Sequence, residues 1–329
     1  MGPYDLLSNV SWLDEENELS LRVHQLTWES DCVTSVTLTS SESQILPAWE
    51  PGSHLDLHLP NGLVRQYSLC SDPKDLRSYR IGVLREQQST GGSSYVHDRL
   101  RPGDIVHAVG PRNQFRLIPS ADYFFIAGGI GVTPILPMLA ACEAAGANWR
   151  LLYAGRSLSS MAFRSELADY GDRVTIHESG TSNYPDIGAA LSGLSAGTHV
   201  YACGPRPLLD EVERCCATQA GLHLQVEHFK PKTRGTSADV DTDIEVFCQQ
   251  SGVTVTVGPT TSILEALEGA GLDVASSCRE GICGTCELAV LEGTPDHRDS
   301  LLSPEEQQSG EMMMVCVSRA LTPRLVLDV

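Results

Sequence analysis

Hydrophobic and polar residues alternate in short runs over the first third of the chain. Residues 19–28, 33–39, 54–59, 79–84 and 105–109 each read as a strand, and turn signals separate them. Pro60-Asn61-Gly62 supplies a hairpin turn between two of these strands. Many short strands at this spacing predict an antiparallel β-barrel. Near Ile118-Pro119-Ser120 the pattern changes to apolar strand, glycine turn, helix. Residues 123–127 lead into glycines and a helical run over 134–145; 150–154, 174–177 and 199–202 read as further strands with helices between. That order predicts an α/β parallel sheet. A third pattern begins near residue 242. Residues 244–249 and 253–257 alternate around a Gln250-Ser251-Gly252 turn, and Ser262-x-x-Glu265 is a capping box for a helix that stops near Gly271.

These shifts divide the chain into an N-terminal extension (1–18), a barrel (19–119), an α/β unit (120–229), a linker (230–241) and an α+β, β-grasp unit (242–329). The linker is polar, carries Pro and Gly, and has no apolar period. In the extension a helix would gather Leu6, Leu7, Val10 and Leu13 on one face; a disordered segment fits equally well.

Charge narrows the partners. The 329 residues carry 42 acidic and 23 basic side chains, a net charge of −19, which argues against nucleic acid. Residues 241–329 hold 15 acidic and 4 basic side chains, so the excess concentrates in the last unit. No apolar run approaches the roughly 18 residues of a membrane span. The first 20 residues are acidic, unlike a targeting segment, and Leu6 stands where a myristoylation signal wants Ser or Thr. Eleven cysteines without a signal peptide point to a reducing, cytoplasmic setting.

The spacing of four of those cysteines carries the strongest chemistry. Cys278, Cys283 and Cys286 form C-x4-C-x2-C, with Cys316 further on, which is the plant-type 2Fe-2S arrangement. Two sulfide-bridged irons need four thiolates, and one loop can wrap three of them around the cluster. Gly281 and Gly284 let the backbone approach and turn amides toward the sulfurs. Zinc sites usually pair two C-x2-C units, and only one is present. The other seven cysteines read as ordinary buried residues. Two strands, a helix and then the cysteine loop is the order of a plant-type ferredoxin domain.

Two further motifs suit a nucleotide. Gly128-Gly129-Ile130-Gly131-Val132-Thr133-Pro134 is a strand end, a glycine turn and a helix start, with Thr133 as N-cap and Pro134 at the first helical position. Tyr201-Ala202-Cys203-Gly204-Pro205 ends a later strand of the same sheet, where open α/β sheets bind ligands. A tight turn without a ligand and a packed strand end are the plainer readings. In the barrel, Arg65-Gln66-Tyr67-Ser68 could hold a phosphate, flank a flavin ring and hydrogen-bond its edge. Ser89-Thr90-Gly91-Gly92-Ser93-Ser94 before a short helical run is a second phosphate cradle, or a solvated loop.

Taken in order, Arg65-x-Tyr67-Ser68, the Gly128 to Pro134 turn, Cys203-Gly204-Pro205 and the cysteine pattern resemble the phthalate dioxygenase reductase family, which includes the reductases of vanillate O-demethylases and related Rieske oxygenases. The resemblance spans nearly all of residues 19–329. Val290-Leu-Glu-Gly293, Asp296-His-Arg-Asp299 and Cys316-Val-Ser-Arg-Ala320 add to it. It implies an FMN-binding barrel, an NADH-binding α/β unit and a C-terminal 2Fe-2S unit. It further implies FMN contacts from Arg65, Gln66, Tyr67 and Ser68, with Arg85, Gly92, Ser93 and Ser94 near the phosphate. Gly129, Thr133, Cys203 and Pro205 would line the nicotinamide side, with Gly128, Gly131, Pro134 and Gly204 also cofactor-binding, and Phe229 would cover the flavin. Ser68, Cys203 and Phe229 would then lie nearest the reacting ring, Cys203 as a thiol beside it and not a nucleophile. The Asp296 to Asp299 segment is expected to serve the fold.

The function implied is a reductase that takes hydride from NADH onto FMN and passes single electrons through the cluster to a Rieske-type aromatic-ring dioxygenase or O-demethylase. A stand-alone NAD(P)H:acceptor reductase and a reductase partner of a P450 are the alternatives. Arg156-Ser157 after a strand leaves NADPH open.

Overall fold

The three sequence patterns become three sheets in a computed structural model that describes residues 17–87, 89–180, 184–230 and 242–329. Most of the N-terminal extension and of the linker, with Leu6, Leu7, Val10 and Leu13, lies outside the described residues. The first sheet is antiparallel. It contains β1 (Glu18–Ser30), β2 (Val33–Ser40), β3 (Ser53–His58), β4 (Val64–Ser68), β5 (Ser78–Leu84) and β6 (Ile105–Asn113) in the order β4-β3-β6-β1-β2-β5. A bridge between Leu69 and Ile81 joins the end of β4 to β5 and closes the barrel. Leu21, Val23, Val36, Leu38, Leu55 and Leu57 fill its interior. Each such side chain contributes about 1.5–3 kcal/mol by burial.

One short helix, α1 (Gly92–Asp98), packs beside the barrel. β1, β2, β5 and β6 run longer than the sequence predicts, β6 most of all, and β3 starts one residue earlier. It continues past Val109 through a bulge at Gly110-Pro111, which puts Arg112 opposite His54 and Val109 opposite Asp56.

The second sheet is parallel throughout, in the order β11-β10-β7-β8-β9. Its strands are β7 (Asp122–Gly128), β8 (Asn148–Gly155), β9 (Val174–Glu178), β10 (His199–Cys203) and β11 (His223–Glu227). Helices α2 (Ile135–Ala145), α3 (Arg164–Ala168), α4 (Ile187–Leu191) and α5 (Arg206–Ala217) connect them. Separate apolar clusters cover its two faces, so β7 is apolar almost throughout and does not alternate.

The third sheet holds β12 (Ile244–Cys248), β13 (Thr254–Val257), β14 (Glu287–Glu292), β16 (Met312–Met314) and β18 (Arg324–Leu327) in the order β13-β12-β18-β14-β16. A small ribbon pairs β15 (Pro295–Asp296) with β17 (Arg319–Ala320). Helix α6 (Ile263–Gly269) starts on the Ser262–Glu265 capping box, both of whose bonds form. A second box, Ser303–Glu306, starts α7 (Pro304–Ser309). Buried Arg319 donates to the carbonyls of Thr242, Val257, Gly258 and Thr261, tying the end of β13 to the segment that follows Cys316.

Specific contacts set the barrel against the α/β unit. Arg80 on β5 grips Glu166 on α3 with both terminal nitrogens, at 2.7 and 2.8 Å, while lying over the Phe163 ring. Gly82 on β5 admits Thr133, whose Cγ2 would stand 2.7 Å from a Cβ there. Among the described residues no helix is long and apolar enough to cross a membrane.

Candidate active site

A cavity of about 510 Å³ opens where the three units meet. The barrel gives Arg65, Gln66, Tyr67, Ser68, Ser89, Thr90 and Ser93; the α/β unit gives Ile130, Thr133, Glu227 and Phe229; the third unit gives Glu280, Ile282, Ser300 and Leu301. The volume suits a cofactor-sized ligand. A second cavity, about 450 Å³, lies at the carboxyl ends of the parallel strands and shares Leu84, Glu86 and Ile130 with the first. Its wall includes Gly128, Gly129, Arg156, Ser179, Gly180, Tyr184 and Pro205.

Strand β4 places the first group. Pairing sets Arg65 opposite Leu57, Gln66 opposite Asp56, Tyr67 opposite Leu55 and Ser68 opposite His54. Arg65 crosses Gly92, where a Cβ would come within 2.7 Å of its side chain, and donates to Thr90 Oγ1 at 2.6 Å. A larger residue there would push the Arg65 side chain aside. Ser89 Oγ accepts from Gly91 N, Ser94 N and Ser93 Oγ and so shapes the turn. Gly92 and Ser94 support the wall without lining it. The Tyr67 phenol is pushed up to about 12 by burial and stays neutral.

Arg85 departs from the expectation. The strand ends at Leu84, and Arg85 falls on the second cavity, bound to Asp98 at 2.8 and 3.1 Å. It does not line the first cavity beside Arg65.

The glycine turn also differs from its reading. Gly128, Gly131 and Gly204 serve close packing between the ends of β7 and β10. A Cβ on Gly131 would meet the Cys203 carbonyl at 2.2 Å, and one on Gly128 would meet Pro205 at 2.5 Å. Gly129, with φ +54 and open space beside it, faces the second cavity. Thr133 is not an N-cap: its hydroxyl donates to the Ile130 carbonyl at 2.9 Å, and Pro134 takes the cap position of α2. Thr133 lines the first cavity instead.

Cys203 is wholly buried in the core of the α/β unit and lines neither cavity. Its Sγ donates to Glu227 Oε2 at 3.6 Å, and Glu227 is the one of the two that lines the first cavity. Burial pushes Glu227 up to about 8, with the thiol bond pulling the other way. Burial and the neighbouring carboxylate hold the Cys203 thiol well above its ordinary range. Phe229, two residues beyond β11, is half-buried against the same core and lines the first cavity. Sequence reasoning overlooked Glu227, since a short edge strand with polar alternate positions gives little signal; the side-by-side motif Val226-Glu227-His228-Phe229 held the clue.

The four expected cluster cysteines converge. Cys278 stands beside Cys283 and holds it below the usual thiol range, and Cys316 does the same for Cys286. Among the described residues no three His, Cys, Asp or Glu side chains surround one point. The thiols stand as two pairs, the ligand count of two bridged irons. One amide turns toward a sulfur, Glu280 N donating to Cys278 Sγ at 3.3 Å, while the Cys283 thiol donates to Thr285 Oγ1 at 3.3 Å. Gly281 (φ +69) and Gly284 (φ +78) make these turns, and a Cβ on Gly281 would meet Val317 at 2.5 Å. Asp299, buried, accepts from Leu301 N and Leu302 N at 3.1 and 2.8 Å and so shapes the loop behind the cluster. The donor set and its cradle fit a 2Fe-2S cluster, and the first cavity fits a flavin beside it.

Comparison with known proteins agrees with this geometry. The 2Fe-2S iron-sulfur cluster binding domain family matches residues 246–321. Phenoxybenzoate dioxygenase subunit beta of Ectopseudomonas oleovorans is 39% identical over 313 residues, covering 94% of this chain and 97% of its own. The structure of phthalate dioxygenase reductase is 33% identical with a TM-score of 0.69, covering 95% of this chain and 98% of that one. An intact type IV self-sufficient cytochrome P450 monooxygenase is 38% identical with a TM-score of 0.86; the match covers 95% of this chain and 41% of that one. The chain thus spans about two fifths of that protein's length. With such identity along nearly its whole length, the chain belongs to the phthalate dioxygenase reductase family of NADH-dependent, FMN- and 2Fe-2S-containing reductases that serve oxygenase components.

Proposed function

We propose that this chain is the reductase of a Rieske-type oxygenase acting on an aromatic substrate. One observation carries the reading: the flavin cavity is walled by Arg65–Ser68 of the barrel, Phe229 of the nucleotide unit, and Glu280 and Ile282 of the cluster loop itself. When bound, FMN accepts hydride from NADH and releases its two electrons singly to the cluster, with NAD⁺ and a proton as by-products. The residues position and tune. Arg65, held by Thr90, offers a fixed positive charge to the FMN phosphate, with Ser93 beside it. Ser68 and Tyr67 would face the ring, and Phe229 would close the cavity from the nucleotide side. Glu227, pushed up to about 8 by burial, would present a neutral acid to the cavity at pH 7. The second cavity would take the nucleotide, with Gly129 and Pro205 toward the nicotinamide and Arg156 on the wall.

The acidic third unit supports docking on a basic acceptor. Glu287 follows the ligand Cys286, and exposed Glu305, Glu306 and Glu311 lie nearby on α7 and before β16. Charge complementarity of this kind raises the association rate and weakens with salt. Eleven cysteines, four of them in the cluster spacing, support a reducing, cytoplasmic setting.

The likeness to the self-sufficient P450 favours a second reading, a haem acceptor. The test is NADH-driven reduction of a purified Rieske oxygenase beside a purified P450, each followed by its own optical change at low and high salt. Faster reduction of the Rieske protein, slowed by salt, supports the proposal. Preference for the haem would overturn it.

A further inference from the structure

The strand that pairs with the flavin wall carries a buried carboxylate with no place in the account above. Asp56 lies in the middle of β3, on the face opposite Leu55 and Leu57, and is 1% exposed. Three chain segments converge on it. Gln66 Nε2, from the cavity wall on β4, donates to Oδ1 at 2.7 Å. Arg112 Nη2, from beyond the bulge in β6, donates to Oδ2. Ser277 Oγ, from the third unit, also donates to Oδ2 across a separation of 221 residues. The next residue after Ser277 is Cys278, a cluster ligand.

The chemistry of the group explains the arrangement. An ionised carboxylate is an acceptor with two oxygens and about four lone-pair sites, so it can hold three donors at once. Arg112 compensates its charge, and the shared burial makes every bond depend on geometry. Gln66 also reaches the buried His54 ring at 3.4 Å, which fixes the amide from a second side. The same carboxylate therefore contacts the flavin wall on one side and the root of the cluster loop on the other. Glu280 and Ile282, from that loop, form part of the cavity.

We infer that Asp56 and Ser277 form a clasp that fixes the cluster loop against the flavin cavity, making Asp56 a positioning residue for electron passage from flavin to cluster. This rests on the reductase reading given above. Electron tunnelling falls exponentially with distance, so a loop freed at its root loses rate even when both cofactors stay bound. A purely structural Asp56 would need only Arg112 and Gln66; the bond to Ser277 adds nothing to the barrel.

Ser277→Ala separates the two, because it removes the bond across the units and leaves Asp56, Arg112 and Gln66 paired. The holoprotein is mixed anaerobically with NADH. Flavin bleaching is followed by stopped flow, cluster reduction by freeze-quench electron paramagnetic resonance, and backbone exchange over residues 275–286 by deuterium labelling. The expected result is unchanged flavin bleaching, cluster reduction slowed roughly tenfold, and faster exchange in the loop. Ser277→Thr, which keeps the hydroxyl, should restore both readouts. Asp56→Asn should also slow cluster reduction and speed loop exchange; should it fail to fold, Ser277→Ala alone decides. Wild-type cluster reduction in Ser277→Ala, or unaltered loop exchange, overturns the clasp. Wild-type protein whose cluster stays oxidised after its flavin is reduced overturns the functional reading, and no variant is needed to see it.

Discussion

The Cys203 thiol donates to Glu227 Oε2 at 3.6 Å, so the residue that meets the first cavity is the glutamate and the cysteine stands behind it. Burial lifts Glu227 to about 8 from an ordinary 4.5. The folded chain therefore holds a proton there that the unfolded chain releases between those values. The resulting stability is fully present below pH 4.5 and is lost as pH rises through about 8. Glu227→Gln should flatten that limb. Melting temperatures from pH 6 to 9 check it: the wild type should fall more steeply than the variant, and parallel curves would remove Glu227 as the cause.

His54 acts with the opposite sign. Burial, then the Arg112 charge, lower it to about 3 from 6.5. Its contribution is present above pH 6.5 and is lost as pH falls through about 3. At pH 5 the loss relative to pH 7.5 should be about 2 kcal/mol. Urea midpoints of the wild type and His54→Gln at the two pH values measure it, with the variant losing less.

What was legible in the sequence follows from range. Leu21, Val23, Val36 and Leu38 alternate with polar neighbours, and they fill the barrel. Ser262 and Glu265 sit three apart and form both capping bonds. The cysteine spacing locates four thiols that converge. Misreadings arose where the partner lay far off in sequence or where side-chain direction decided. Ser277 meets Asp56 across 221 residues, and no local period encodes that. Arg85 lies one residue past a strand end, and that single step turns it to the other cavity. Gly131 and Gly204 look like ligand glycines because close strand packing demands the same residue.

Cys283→Ser should abolish the cluster while leaving the other two sites assembled, since the thiol pair belongs to the third unit alone. Iron should fall from two atoms per chain toward none, with NADH–ferricyanide turnover near wild type. Loss of both activities would show that the units do not act separately.

Arg65→Ala removes the fixed charge that Thr90 orients. A charge-assisted bond of about 1.5–3 kcal/mol corresponds to flavin binding weaker by roughly tenfold to a hundredfold. Equilibrium titration of the apoprotein with FMN, followed by flavin fluorescence, reads the change directly. Unchanged affinity would take Arg65 out of the phosphate site.

The central claim is that one chain relays electrons from NADH through a flavin to a two-iron cluster. Anaerobic titration of the freshly purified holoprotein with NADH tests it most directly, followed by absorption and electron paramagnetic resonance. The account predicts bleaching of both chromophores and uptake of about three electrons per chain, two by the flavin and one by the cluster. Purified protein that contains neither iron nor flavin, or one whose uptake stops at two electrons with the cluster still oxidised, would contradict it.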